Sequence, residues 1–454
     1  MRKIQGTALP NSIEKLEEQL DSFDFSKRKK ALRELWGLAQ CGDIKLGQIC
    51  TDINLHFHTF YSYNACGYSP SKIAWLARKA GLGVVGIIDF DVFDGLDEFF
   101  EAAELLGLKG CGGMETRVYV PEFADRVINS LGEPGISYHI GIGFPIGQVS
   151  GELQGFKTTL RKTVEQRNMD LVGRVNSYLA PVRLDYEKDV CPLTPSGNAT
   201  ERHICLAYAR KARSLFTNER ELSEFWADRL QTGQDSLDLP EGLGLLNLIR
   251  AKTMKRGGTG YVQPDAGLFP TMAETNRFIL AAGGIPTLAW LDGTSDGERE
   301  IEKLLEVAIS SGTSAVNIIP ERNFTAGLGK NDRMCKNLYD FVALAEKMDL
   351  PIVVGTEMNS PGQKFVDDFN SVELAPLLPV FLKGAHIVYA HCVLQRQCGL
   401  GYTSQWAKNI FQTTAAKNNF FEKIGNLVDP ANKQLLNGLS QSVTAQQILD
   451  RVEG

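Results

Sequence analysis

Apolar and polar residues recur with two different periods along this chain, and the switch falls at Thr51. Residues 11–40 carry apolar positions at helical spacing among Lys and Glu, which predicts one or two helices. From Thr51, short β-branched or apolar runs alternate with amphipathic stretches, the pattern of a parallel α/β fold. A strand is predicted over 51–57 and a helix over 69–80. Ser69-Pro70 opens that helix with an N-cap and a proline at its first position, and Gly81 ends it. Strands follow at 83–89 (GVVGIID), from Met114 to Val120 and at 138–144 (YHIGIGF), with a helix over 94–106.

The alternation stops near residue 150. Residues 150–280 read as a mainly helical insertion, including the capped stretch TPSGNATERHICLAYARKARSLF. Three roles are open to it: a lid that shapes substrate choice, a dimerisation element, or structural padding. The α/β rhythm then resumes, with strands at 283–291 (GGIPTLAWL), 315–320 (AVNIIP), 351–357 (PIVVGTE) and around 386–390. Helices are predicted between them at 297–310 and 333–347. The chain thus divides into a helical segment (1–50), a first barrel part (51–149), the insertion (150–280), a second barrel part (281–400) and a helical tail (401–454).

Composition narrows the class. With 43% hydrophobic and 22% charged residues, the 454-residue chain is expected to be a globular protein with a large core. No apolar run is long enough to cross a bilayer, and MRKIQGTALPNSIEKLEEQLDSF lacks the apolar centre of a secretory signal. The nine cysteines are scattered without a CxxC pair, which fits reduced thiols and a cytoplasmic location with no membrane partner. A net charge of −6, with only KRKK (27–30) and KTMKR (252–256) as basic clusters, argues against nucleic acid. GGTGYVQPDAGLFP (257–270) is glycine-rich and could approach a phosphate, but matches no P-loop.

Candidate chemistry begins with two of the six histidines, His56 and His58 in NLHFHTF. Residues two apart on a strand point to one face, so both imidazoles can reach one ion. Three more predicted strands end in polar groups: Asp89 and Asp91, Glu115 and Arg117, then Glu357 and Asn359. In a parallel barrel the C-terminal strand ends converge on one rim, and carboxylates and imidazoles gathered there suit zinc, iron or manganese. Arg117 is placed either to hold a substrate phosphate or carboxylate or to pair with a neighbouring acid. Asp89 and Asp91 would act as general bases, as further ligands, or simply to fix the strand end. His391, in VYAHC, lies on a predicted strand and is a candidate to line the pocket, whereas His386 reads as core and His203 as a surface or capping residue.

The stretch from NLHFHTF through GGMET resembles the opening of the PHP (polymerase and histidinol phosphatase) family. That opening has a His-x-His strand, a Ser-Pro helix start, a strand ending Thr-Asp-His-Asp and a strand with Gly-x-Glu. The likeness runs over about residues 51–144 and resumes more weakly over 283–360. It implies a distorted (β/α)7 TIM-like barrel and metal-dependent hydrolysis, most often of phosphate esters. It also implies metal ligands at His56, His58, Glu115 and His139, with Glu357 and Asn359 in place of an aspartate and a histidine. Phe90 and Trp290 stand where two further ligand histidines are expected, and Asn64 is the nearest substitute for a missing aspartate. One firm ion, or two, is therefore expected rather than three. The leading expectation is a phosphoesterase acting on a small anionic compound, the chain being a monomer or an oligomer. A non-phosphate hydrolase or lyase on the same barrel, and an inert ligand- or partner-binding barrel, are the alternatives.

Overall fold

Seven strands line up in chain order, and the first meets the last. The computed structural model describes residues 10–149, 151–233, 242–263 and 267–453. The strands are β1 (Ile53–Phe57), β2 (Val84–Phe90), β3 (Lys109–Tyr119), β4 (Ile136–Ile142), β5 (Ile285–Trp290), β6 (Ala315–Ile318) and β7 (Ile352–Val354), in sheet order β1 to β7. Past β7 the chain turns back onto β1: Glu357 N–H donates to His56 O at 2.7 Å and His58 N–H to Glu357 O at 2.8 Å. The result is a nearly closed, distorted TIM-like barrel.

Before and between the strands run α1 (Pro10–Gln19), α2 (Phe25–Gln40), α3 (Pro70–Ala80) and α4 (Leu96–Leu106). Then come α5 (Glu152–Tyr178), α6 (Glu201–Leu215), α7 (Glu219–Leu230), α8 (Leu243–Ile249) and α9 (Met272–Ala281). After β5 follow α10 (Asp296–Arg299), α11 (Ile301–Ser310), α12 (Arg333–Lys347), α13 (Leu378–Cys398), α14 (Gln405–Ile410), α15 (Thr414–Leu427) and α16 (Ala445–Glu453). None of the helices among the described residues is long and apolar enough to cross a membrane. The start of α3 is as its sequence predicts: Ser69 Oγ accepts from Lys72 N, Pro70 is the first helical residue, and Gly81 closes the helix at φ 83°.

Two expectations are corrected. The barrel is not wholly parallel, because β4 runs antiparallel to both β3 and β5. The strand predicted around 386–390 is instead the middle of α13, a 21-residue helix. Its AHIVYAHCVL run is apolar on all sides because the helix is buried on nearly all sides, so period alone does not distinguish it from a strand. It lies across the barrel end opposite the candidate site. Tyr389 meets Lys109 at the start of β3, and Gly384 abuts Ile352 at the start of β7.

That contact is tight enough to test. A Cβ at Gly384 would lie 1.9 Å from Ile352 O, a backbone atom that cannot swing aside. Gly384→Ala is expected to destabilise by about 3 kcal/mol or more, the upper range for overpacking, read as a fall in the denaturant midpoint. An unchanged midpoint would mean that α13 does not seat this closely.

The segment from α5 to α8 has a hydrophobic cluster of its own, built on Val175, Tyr208, Trp226 and Ile249. It is fastened over one rim of the barrel. Asn198 donates to Phe90 O (2.9 Å) and Tyr61 O (3.1 Å), Ser196 donates to Asp94 (2.7 Å), and Arg202 reaches Ser360 (2.9 Å). Of the glycine-rich 257–270 stretch, residues 264–266 lie outside the described residues, and Gly258 and Gly260 pack against the backbone of 252–255.

Candidate metal centre

The inward face of each strand decides what reaches the rim. Phe90 pairs with Glu115, and Arg117 with Tyr138, so these four share the barrel interior. His56 and His58 enter from β1 and the residue after it, and Glu357 from the turn past β7. Donor atoms of His56, His58, Glu115 and Glu357 all lie within 4.8 Å of one another. His56 Nε2 and His58 Nε2 stand 3.5 and 3.2 Å from Glu115 Oε2.

The hydrogen bonds behind this cluster fix which atoms face it. Asn317 Nδ2 donates to Val353 O, so its Oδ1 must accept from His56 Nδ1–H at 3.1 Å. Ser62 Oγ donates to Asp89 Oδ1 at 2.6 Å and therefore accepts from His58 Nδ1–H at 3.2 Å. Both neutral rings then present Nε2 lone pairs to a carboxylate oxygen. All three atoms are buried without a hydrogen-bond partner. Three acceptors facing one another need a proton or a cation between them. Without a metal, burial opposes charging His56, but Glu115 and Glu357 outweigh it and raise its pKa. Burial likewise opposes ionising Glu115, but the two imidazoles hold its carboxyl down at about 2. Two imidazoles and two carboxylates with both Nδ1 atoms tied off form a donor set that fits a divalent ion.

The other candidates separate. Asp89 does not share a face with Asp91, as its spacing predicts. It points outward, where its carboxylate accepts from Thr59 N, Thr59 Oγ1 and Ser62 Oγ, and burial raises its pKa. Asp91 follows the strand at φ 60°, which breaks the alternation and turns it into the cavity. It accepts from Thr116 Oγ1 at 2.5 Å, and burial raises its pKa too. Asn359 lines the same cavity. Asn64 braces the 58–68 loop, donating to His58 O and accepting from Cys66 N and Tyr68 N.

Two expected site residues lie elsewhere. His139 is opposite Thr116 on the outward face of β4, where Nε2–H donates to Asn276 Oδ1 at 2.5 Å. The register against β3 puts Tyr138, opposite Arg117, on the inside in place of His139. His391 sits on α13 at the far end of the barrel, with Nε2–H donating to Gly283 O and Nδ1 accepting from Tyr402 N. Both its nitrogens are used, so it lines no pocket here. His203 caps α6 through Thr200, as a capping residue should.

Above the metal cluster is a cavity of about 310 Å³. Phe90, stacked on His58 at 4.4 Å, forms an apolar wall with Ala289 and Ile319, while Trp290, on the outward face of β5, borders the cavity with its ring stacked on Phe341 of α12 at 4.4 Å. The covering segment supplies Val164, Arg167, Glu201, Arg202, Arg250 and Lys255. Sequence reasoning noted Lys255 only within the basic cluster KTMKR and did not single out the others. They share no motif spacing, and only the docking of that segment gathers them.

No family model matches the chain, and no curated protein is similar to it. Among solved structures, an amidohydrolase from Chromobacterium violaceum is 16% identical, with a TM-score of 0.48, covering 68% of this chain and 88% of its own. A protein from Bifidobacterium adolescentis, provisionally assigned as a metal-dependent phosphoesterase, is 19% identical. Its TM-score is 0.45, and the match covers 72% of this chain and 96% of its own.

Proposed function

We propose that this chain is a metal-dependent hydrolase acting on a small phosphorylated compound, with zinc, iron or manganese held by His56, His58, Glu115 and Glu357. The observation that carries this reading is the trio of buried, unpartnered acceptor atoms at the floor of a substrate-sized cavity. When bound, a divalent ion supplies a Lewis acid for a phosphoryl or carbonyl oxygen and acidifies water. Asp91 holds or moves a proton at its carboxylate, which burial keeps closer to neutrality than an ordinary aspartate. Arg117 faces the same cavity and favours an anionic substrate, while Glu133 orients its guanidinium at 2.8 Å. Phe90, with Ala289 and Ile319, excludes water.

The aromatic residues favour a second reading. Phe90 and Trp290 cannot ligate, so a clamp of two ions on an in-line phosphoryl displacement is harder to assemble. Amide or lactone hydrolysis, or a lyase step, needs only one ion.

The test is metal content per chain in protein purified without added metals or chelators, beside a His56→Ala/His58→Ala variant, followed by phosphate-ester, amide and lactone panels. About one or two equivalents of metal, lost in the variant together with ester hydrolysis, is the expected result. Turnover confined to amides or lactones would replace the first reading with the second. Absence of metal from both proteins, even after reconstitution, would overturn both.

A further inference from the structure

The wall of the cavity beyond the metal cluster carries more positive charge than its neighbours neutralise. Arg117 Nη1 is paired with Glu133 at 2.8 Å. Arg250 and Lys255 both reach Glu201 Oε2 at 2.8 Å. Arg167, from the middle of α5, lines the same wall, but its Nη1 is buried without a hydrogen-bond partner. With Arg202 on the same wall, five cations thus face three carboxylates, Asp91, Glu133 and Glu201, an excess of two positive charges. Burial, and then the charge of Arg117, depress the Arg167 guanidinium to about 10. A buried guanidinium with an orphaned donor and a like-charged neighbour is costly unless an anion completes it.

Position gives this wall a role apart from the metal. Glu115 and Arg117 are consecutive inward residues of β3, separated by about 7 Å along the strand. A group seated between Arg117 and Arg167 therefore lies about one small-molecule length from the ion. Glu115 and Glu357 line the cavity on the metal side, so charge changes sign from one end to the other.

We infer that Arg167, with Arg117, Arg250 and Lys255, forms a second anion subsite that holds a non-reacting phosphate-type dianion of the substrate. The inference rests on the hydrolase reading for the other end of the cavity. The subsite draws its one unpaired cation from the segment that covers the barrel, so that segment selects substrates by charge as well as by shape. A phosphate group suits the wall better than a carboxylate, because two net charges and several N–H donors match a dianion with three terminal oxygens.

The probe is inorganic phosphate, titrated calorimetrically against the full-length parent, Arg167→Ala, Arg167→Lys and His56→Ala/His58→Ala proteins, with succinate in parallel. Metal content of each Arg167 variant, equal to that of the parent, verifies an intact fold. Phosphate is expected to bind the parent and the double histidine variant alike. Its affinity should fall roughly tenfold or more in Arg167→Ala, and by less in Arg167→Lys. Succinate is expected to bind more weakly than phosphate. Tighter succinate binding would overturn the assignment to phosphate. Phosphate affinity unchanged in Arg167→Ala, or lost only in the double histidine variant, would overturn the subsite itself. Metal-free protein that still binds phosphate through Arg167 would leave the subsite standing while the hydrolase reading fell.

Discussion

Glu115→Gln is expected to lose its metal and to hydrolyse substrate about 10³-fold more slowly, the loss of several kcal/mol of charge stabilisation. The substitution keeps the shape of the side chain and reverses its role. Glutamine can turn its amide donors to the Nε2 lone pairs of His56 and His58, which stand 3.5 and 3.2 Å away. The cluster is then satisfied by hydrogen bonds alone, and nothing remains to favour a cation. The fold should persist because the change supplies donors to buried acceptors rather than removing them. Elemental analysis beside kcat/KM reads both effects. Asp89→Asn, which touches the site only through Ser62 and His58, should weaken metal binding by the smaller 10–100-fold typical of an outer partner. Full metal content and near-parent turnover in Glu115→Gln would remove Glu115 from the centre.

The second large effect is on how stability depends on pH. His139 and His391 are held at about 4, and His203 at about 3, in each case chiefly because burial disfavours the imidazolium. Unfolded, each would titrate near 6.5. Between those values the unfolded chain binds more protons than the folded one, so stability is full above pH 6.5 and falls as pH drops towards 4. Each group can add a slope of up to about 1.4 kcal/mol per pH unit. His386 is lowered to about 4 as well, whereas His56 and the buried carboxyls of Asp21, Asp89, Asp91, Glu298 and Asp367 are raised and work in the opposite sense, so the histidine contribution is read from the difference between two proteins. Between pH 7.5 and 4.5 the urea midpoint of His139→Gln, which can keep a bond to Asn276, should gain on that of the parent as pH falls. Equal slopes in the two proteins would show that His139 is not held neutral.

His56 and His58 were legible because period-two spacing on a strand needs no tertiary information to place two side chains together. Glu115 and Glu357 followed from their positions at strand ends. Where the reading went astray, one unseen variable was responsible each time. The register of β4 against β3, which its own alternation does not reveal, turns His139 outward and Tyr138 inward. The left-handed backbone at Asp91 parts it from Asp89. His391 lies in an apolar run whose surroundings, not its period, make it a helix. KTMKR marked Lys255 only as part of a short basic cluster, and nothing in sequence joined it to Arg167, Glu201 and Arg250, since their proximity is created by the docking of α5, α6 and the chain after α8 onto the rim.

The seam between β1 and the turn past β7 bears on the order of events at the ribosome. His56, His58 and Glu115 emerge early in synthesis, whereas Glu357 arrives some three hundred residues after His56. The backbone bonds that close the barrel, Glu357 N–H to His56 O and His58 N–H to Glu357 O, belong to the same residue that supplies the fourth donor. Sealing the barrel and bringing the fourth donor to the other three are thus a single event, and on the proposed reading a chain ending short of Glu357 would leave the first three donors without a cage.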